Sequence, residues 1–455
     1  MKLTSSITDL NRILILALCV AVSYLWAGSI RSGKRGIMTA VDFGGVYYGA
    51  RCALDHDDPY NTQTCVRDFE AGGGQVPGKD AADRAKQEFV LMLIYPPTAL
   101  LMVAPLAMLL WPTAQMVWIL TMAGLFLVAA FLAWDLASEA PVLSGCIACF
   151  MMLNCFEPLS TGNPVGIVVP LCVVAVWCFT KGRAVLVGVL ALSVALVVKP
   201  HDAGLVWLYF LLAGGVGRKR ALQTLGVAAV FAVAAAVWIS PISPNWVHEM
   251  SSNLSTIAAH GGASDPGPAG IDERSFSPII SLQNSASVFR DDAHFYNPVS
   301  YLIAGGLILV WLIAVLRRRP TREGALLALA AISALTMLPV YHRAEDAKLL
   351  LLALPAFAML WASKERIRWV ALALTSLSIF VTSDYPVAFF AAITQNVPAP
   401  ISTLGGKLTL LALQPAPLVL LVTGCFYLWM FIRYRPTEAV VITDGVASTA
   451  IATAV

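Results

Sequence analysis

The chemistry-bearing residues of this chain are few and stand in short polar strings between apolar runs. The first string is Asp42-Phe43-Gly44-Gly45-Val46-Tyr47-Tyr48-Gly49-Ala50, continuing through Ala53-Leu54 to Asp57-Asp58-Pro59-Tyr60-Asn61. It follows an apolar run, so Asp42 stands at the mouth of a helix, where an acid is costly to desolvate and must face water, a partner or a substrate. Two readings stay open there: an acid capping the next short helix, or a catalytic carboxylate. Asp57 and Asp58 are adjacent carboxylates of the kind that hold divalent cations, but Asp-Pro-Tyr is equally a turn, and the turn is the preferred reading. Farther along stand the cations Lys199, His201, His342 and Arg343. Lys199 can snorkel to lipid headgroups or bind an anion. His342 and Arg343 can pair with Glu345 or Asp346, or likewise meet an anion. Cys52 and Cys65 flank His56, Asp57 and Asp58, and an oxidising compartment would permit a disulfide there. No zinc spacing, phosphate-binding glycine loop or dinucleotide fingerprint occurs, so no metal, no nucleotide cofactor and no nucleic-acid partner is expected.

The elements that must position these residues are membrane helices. Of 455 residues, 58% are hydrophobic and 13% charged, against about 25% charged in a soluble domain. Apolar runs near the roughly 20 residues that span a hydrocarbon core recur along the chain, as at 12–30, 299–316 and 415–432. They predict an all-α integral membrane protein with about twelve transmembrane helices, occupying 1–436 as one polytopic unit, and a disordered cytoplasmic tail at 437–455. Segment 89–110 carries Pro96, Pro97 and Pro105, whose missing hydrogen bonds lipid cannot replace, so a re-entrant or interfacial helix is preferred there to a crossing.

Basic clusters set the orientation, because short cytoplasmic loops collect Lys and Arg. Lys181/Arg183, Arg218–Arg220, Arg317–Arg319 with Arg322, Lys364–Arg368 and Arg433/Arg435 all fall inside if the chain crosses twice between neighbours. Segments 157–164, 199–202, 240–297, 341–348 and 384–414 are then outside, as is 31–88, with both termini cytoplasmic. Arg31, Lys34 and Arg35 are a local exception that five later loops outvote. Asp42 and the four cations thus share the outer face.

The first string resembles the first-loop signature of glycosyltransferase family 87. Tyr95-Pro96-Pro97 with Pro105-Leu106-Ala107, Lys199-Pro200, Ser281-Leu282-Gln283-Asn284, and Tyr341-His342-Arg343 with Asp346 are similar to later patterns of that family in the same order. Where relatives often carry Gly-Gln-x-Asn, this chain has Thr161-Gly162-Asn163 and no glutamine. The resemblance implies a C-type glycosyltransferase fold and a hexosyltransferase of the mannosyltransferase kind, in the plasma membrane. Its implied partners are a polyprenyl-phosphate sugar donor, a lipid or glycan acceptor of the cell envelope, and membrane lipids. On this reading Asp42 is the general base of an inverting transfer, and Arg343, His342, Lys199 and His201 hold the donor phosphate. Tyr47, Tyr48, Asp58, Tyr60, Asn163, Gln283 and Asn284 are the candidates for sugar or acceptor contacts. The alternative from another class is a transporter or lipid-linked-sugar flippase, which would put ionisable residues at the bilayer midplane and often show an internal repeat. The helix middles here are almost free of charge, and no duplication is visible.

Overall fold

A computed structural model describes residues 2–32, 40–71, 91–262, 264–267, 279–394 and 403–434. They are helical almost throughout, and the β-type feature among them is an isolated antiparallel bridge between Ile279 and Arg343. The chain opens with α1 (Lys2–Ser32), α2 (Val41–Leu54) and α3 (Thr62–Ala71), then α4 (Pro97–Ala107), α5 (Trp111–Leu136), α6 (Pro141–Leu153) and the single turn-and-a-half α7 (Phe156–Thr161). Next come α8 (Val165–Lys181), α9 (Val185–Val198), α10 (Pro200–Ala213), α11 (Gly215–Ile239), α12 (Trp246–Ile257) and α13 (Leu282–Ser287). The last part holds α14 (Ala293–Arg317), α15 (Arg322–Leu335), a 3-10 helix (Asp346–Ala353), α16 (Leu354–Ala362), α17 (Ile367–Val381), α18 (Asp384–Thr394), α19 (Leu404–Leu413) and α20 (Ala416–Arg433).

Among the described residues, six helical stretches are long and apolar enough to cross a membrane: Thr8–Leu25, Trp111–Leu136, Pro141–Thr161, Gly215–Ile239, Ala293–Arg317 and Ala416–Arg433. A seventh arises if α17 and the start of α18, bent by 65° at their break, count as one span. The shortfall from twelve has a local cause. Apolar runs that read as single crossings are cut short by proline or by a turn. Pro200 pushes Lys199 out of the helical region (φ −144°, ψ 79°), as proline does to the residue before it, and so splits α9 from α10. With 14 residues, α9 is about 21 Å long, short of the roughly 30 Å of a hydrocarbon core. In segment 89–110 the helix α4 has only 11 residues and contains Pro105. It is about 16 Å long, which fits a re-entrant or interfacial element. The outer segments expected at 31–88 and 240–297 contain α2, α3, α12 and α13, while the tail expected at 437–455 lies outside the described residues.

Large apolar side chains stand exposed on the long helices, with Leu120 at 63%, Val230 at 68% and Leu302 at 77%. That is the surface a hydrocarbon solvent requires rather than water. Inside, small residues let helices approach closely, as in membrane bundles generally. A Cβ at Gly424 of α20 would come within 2.8 Å of the Leu335 Cγ on α15, and the Trp311 Nε1 of α14 donates to Ala328 O of α15 at 3.1 Å.

Candidate active site

Asp42 lies in the first turn of α2, and three features fix where it stands. Ala40, before the helix, takes a left-handed conformation (φ 56°), and its N–H donates to Ser160 O of α7 at 2.8 Å. Phe43 is fully buried, its ring stacked 4.7 Å from Trp118 and 5.5 Å from Trp111. The turn after α7 bends at Gly162 with φ 67°, and a Cβ there would come 2.8 Å from the Phe43 Cβ and 3.0 Å from the Ala40 Cβ. Only glycine suits both that conformation and that closeness.

The next residue, Asn163, completes the arrangement. Its Oδ1 accepts from Val165 N at 3.0 Å, at the start of α8, and its Nδ2 donates to the Asp42 Oδ2 at 2.8 Å. Because the carbonyl end is committed to a backbone N–H, the amide end must face Asp42. Its orientation is therefore set by chemistry rather than by choice of flip.

A buried group of charges lies beside Asp42. Lys199, between α9 and α10, makes a short contact with Asp346 Oδ1 and lies 3.2 Å from Asp202 Oδ2. The other oxygen of Asp202 is 3.2 Å from the His342 Nε2. His342 is buried, its Nδ1 3.0 Å from Val340 O, whereas His201 is exposed, with its ring 5.0 Å from that of His342. The Arg343 N–H donates to Asp346 Oδ2 at 2.7 Å, and its side chain hydrogen-bonds to the Tyr341 hydroxyl. The strand-like pairing of Ile280 N with His342 O at 2.9 Å, and of Leu282 N with Leu338 O at 2.9 Å, holds this segment in place.

The electrostatics follow from burial. Glu345 is held well above the ordinary carboxylate range, first by burial and then by the Asp42, Asp346 and Glu157 carboxylates, with Lys199 opposing. Its proton is therefore held more tightly than that of an ordinary carboxyl group. Burial works against a charged Lys199, but Asp202 and Asp346 outweigh it and raise its pKa. Burial likewise pulls His342 down, and its contact with Asp202 more than reverses this. Asp42 also acts on Tyr95 and Arg343. Asp42, Asn163, Tyr95, Lys199, His342 and Arg343 thus form one neighbourhood, assembled from segments far apart in the chain.

The side chains of the remaining candidates are engaged in other contacts or buried. Tyr47 and Tyr48 are buried against Trp111, and the Tyr47 hydroxyl donates to Leu109 O at 2.7 Å. Asp58 Oδ1 accepts from Tyr60 N at 3.0 Å in a turn, and Asp57 pairs with Arg67. The Tyr60 hydroxyl donates to Tyr95 O at 2.9 Å. Gln283 bonds to Asn297, and Asn284 is buried with its side-chain oxygen unbonded among the described residues. Cys52 and Cys65 are buried free thiols with sulfurs 3.3 Å apart. For a metal, His201, Asp202 and His342 offer ligand atoms within 4.8 Å of one another. The Lys199 ammonium already competes for the Asp202 carboxylate.

Sequence reasoning did not single out Asp202, nor Lys348 and Asp384. Lys348 Nζ lies 3.0 Å from Asp384 Oδ1, both buried, and Asp384 Oδ2 accepts from Glu157 N at 3.0 Å. The signal was present in acids interleaved with bases at 199–202 and 341–348.

Comparison with known proteins adds one finding. The sequence model of glycosyltransferase family 87 matches residues 93–341, more than half of the chain. No curated protein and no solved structure matches it. The matched region includes Tyr95, Asn163 and Lys199 and ends at Tyr341; Asp42, His342 and Arg343 lie outside it but pack against it. This chain belongs to glycosyltransferase family 87 and is a membrane glycosyltransferase.

Proposed function

We propose that the protein transfers a hexose, mannose in the first instance, from a polyprenyl phosphate to a lipid or glycan acceptor at the outer face of the plasma membrane. The observation that carries this reading is the Asp42 carboxylate, oriented by Asn163 and set beside a buried cluster that includes Arg343. Asp42 takes the proton of an acceptor hydroxyl as its oxygen attacks the anomeric carbon. The bond from that carbon to the phosphate oxygen breaks on the opposite face, and the phosphate leaves with the electron pair. One displacement inverts the centre and needs a single carboxylate base.

Arg343 is the main phosphate contact, since a guanidinium matches phosphate geometry, and exposed His201 assists. Lys199 and His342 neutralise Asp202 and Asp346, so their charge reaches the phosphate only as part of the cluster. No divalent ion is required, because the leaving group is met by fixed cations; a chelator should leave transfer unchanged. The twelve-crossing topology with cytoplasmic termini belongs to this proposal. The segments that the charge pattern assigns to one side do converge: 157–164, 199–202, 341–348 and Asp384 all meet around the site.

The test is donor binding by the purified protein. Polyprenyl-phosphate mannose should bind and a nucleotide-linked mannose should not, with Arg343→Ala weakening binding more than Lys199→Ala. Equal affinity of wild type and Arg343→Ala for the lipid donor would reject the phosphate assignment, and preference for the nucleotide sugar would reject the donor class.

A further inference from the structure

Away from the candidate active site, a cavity of about 680 Å³ opens between the ends of α14 and α20 and the start of α15, within the roughly 300–1,000 Å³ of small-molecule sites. Its walls include Val310 and Ile313 of α14 and Phe431 and Ile432 of α20, and its rim carries Arg317 and Arg319. We infer that this cavity binds one anionic phospholipid, its phosphate held by Arg317 and Arg319 and an acyl chain lying along α14.

Three observations support it. The middle arginine is already used. The Arg318 Nη1 donates to Tyr434 O at 2.6 Å, its Nη2 to Ile432 O, and its guanidinium lies 5.4 Å over the Phe431 ring. Arg318 therefore ties the turn after α14 to the end of α20 and shapes the cavity. Arg317 and Arg319 are exposed, and among the described residues neither pairs with an acid. Glu323 acts on Tyr434 nearby but bridges to neither arginine.

Next, the cavity continues into a lipid-facing strip. Leu309, Val310, Ile313 and Leu316 of α14 are all exposed. An amphiphile therefore meets an apolar wall and two cations within one helix end. Finally, α14 and α20 are both candidate spans, so their ends lie where the hydrocarbon layer gives way to headgroups. Basic pockets between membrane helices at that level select anionic headgroups. A zwitterionic lipid would bring its own cation next to the arginines and gain less.

The experiment extracts the protein from bilayers of equal phosphatidylglycerol and phosphatidylcholine and identifies the retained lipid by native mass spectrometry. Wild type should retain phosphatidylglycerol selectively. Removing two charge-assisted contacts in Arg317→Gln/Arg319→Gln should lower that retention by about tenfold or more, while Arg366→Gln/Arg368→Gln should keep it. Ala314→Trp fills the cavity while leaving both arginines in the chain and should also lose the lipid. Undiminished selectivity in both Arg317→Gln/Arg319→Gln and Ala314→Trp would overturn the inference. Displacement of the lipid by inorganic phosphate alone would overturn it too, because a bare anion site would then suffice.

Discussion

The Asn163 Nδ2 donates to the Asp42 Oδ2 at 2.8 Å across 121 positions of sequence, and so ties the side chain of the proposed base to the family-matched region. Asn163 is a positioning residue. Removing one hydrogen bond to a charged group costs about 1.5–3 kcal/mol, so Asn163→Ala should lower turnover about 10- to 100-fold. Asn163→Asp should cost more and move the acidic limb of the pH profile upward, because a second carboxylate raises the pKa of the first. An unshifted profile in Asn163→Asp would show that the two side chains do not meet in the working enzyme.

Glu345 and Asp42 are neighbouring carboxyl groups with opposite expected roles. Burial and the Asp42 carboxylate both favour the protonated form of Glu345, so Glu345→Gln, which keeps the shape of that form, should leave turnover within a few-fold of wild type. Its effect on stability has a definite sign. The folded pKa lies above the unfolded one, about 4.3, so the folded state holds more protons. Stability is then greatest below that value and declines as pH rises toward the folded pKa. Thermal unfolding in detergent should show wild type losing stability from mildly acidic to neutral pH, and Glu345→Gln losing less. Parallel curves would contradict the raised pKa of Glu345.

The ion pair of Lys348 with Asp384 joins the 3-10 helix to the break between α17 and α18, and Asp384 also holds the start of α7. Breaking a buried pair leaves a bare charge and costs about 3–5 kcal/mol. Lys348→Met should therefore destabilise strongly, and Lys348→Met/Asp384→Asn should recover part of the loss. A double variant as unstable as the sum of the singles would mean that the pair is not coupled.

Cys52 and Cys65 lie on α2 and α3, with sulfurs 3.3 Å apart. If this segment faces an oxidising compartment as proposed, both should resist alkylation in unreduced protein and react after reduction and unfolding. Alkylation of both in unreduced, unfolded protein isolated under thiol-trapping conditions would place the segment on the reducing side.

Much of this arrangement was legible from residue types. The prolines Pro96, Pro97 and Pro105 marked segment 89–110 as unlike an ordinary crossing because the ring removes a donor wherever it stands, and the helix found there has only 11 residues. The charge pattern brought Asp42, Lys199, His342 and Arg343 to one side. What stayed hidden was the central partner. Pairing of His342 and Arg343 with Glu345 or Asp346 was one of the sequence readings, but only the folded chain shows Asp202, fully buried, between Lys199 and His342. Tyr47 and Tyr48 were candidates for sugar contacts, but both rings are buried against Trp111, from a separate apolar run, which residue types alone do not reveal. Among the described residues six helices, or seven with the bent pair, are long and apolar enough to cross a membrane, fewer than the apolar runs suggest, because hydropathy measures the run, not where its helix stops.

The central claim is that Asp42 is the base in transfer from a lipid-borne donor. Its most direct test is single-turnover sugar release by purified protein given polyprenyl-phosphate mannose and a mixed glycolipid acceptor pool, comparing wild type with Asp42→Asn. The account predicts transfer by wild type, a loss of about 10²–10⁴-fold in the variant, and unchanged donor binding. Wild-type turnover by Asp42→Asn would contradict it.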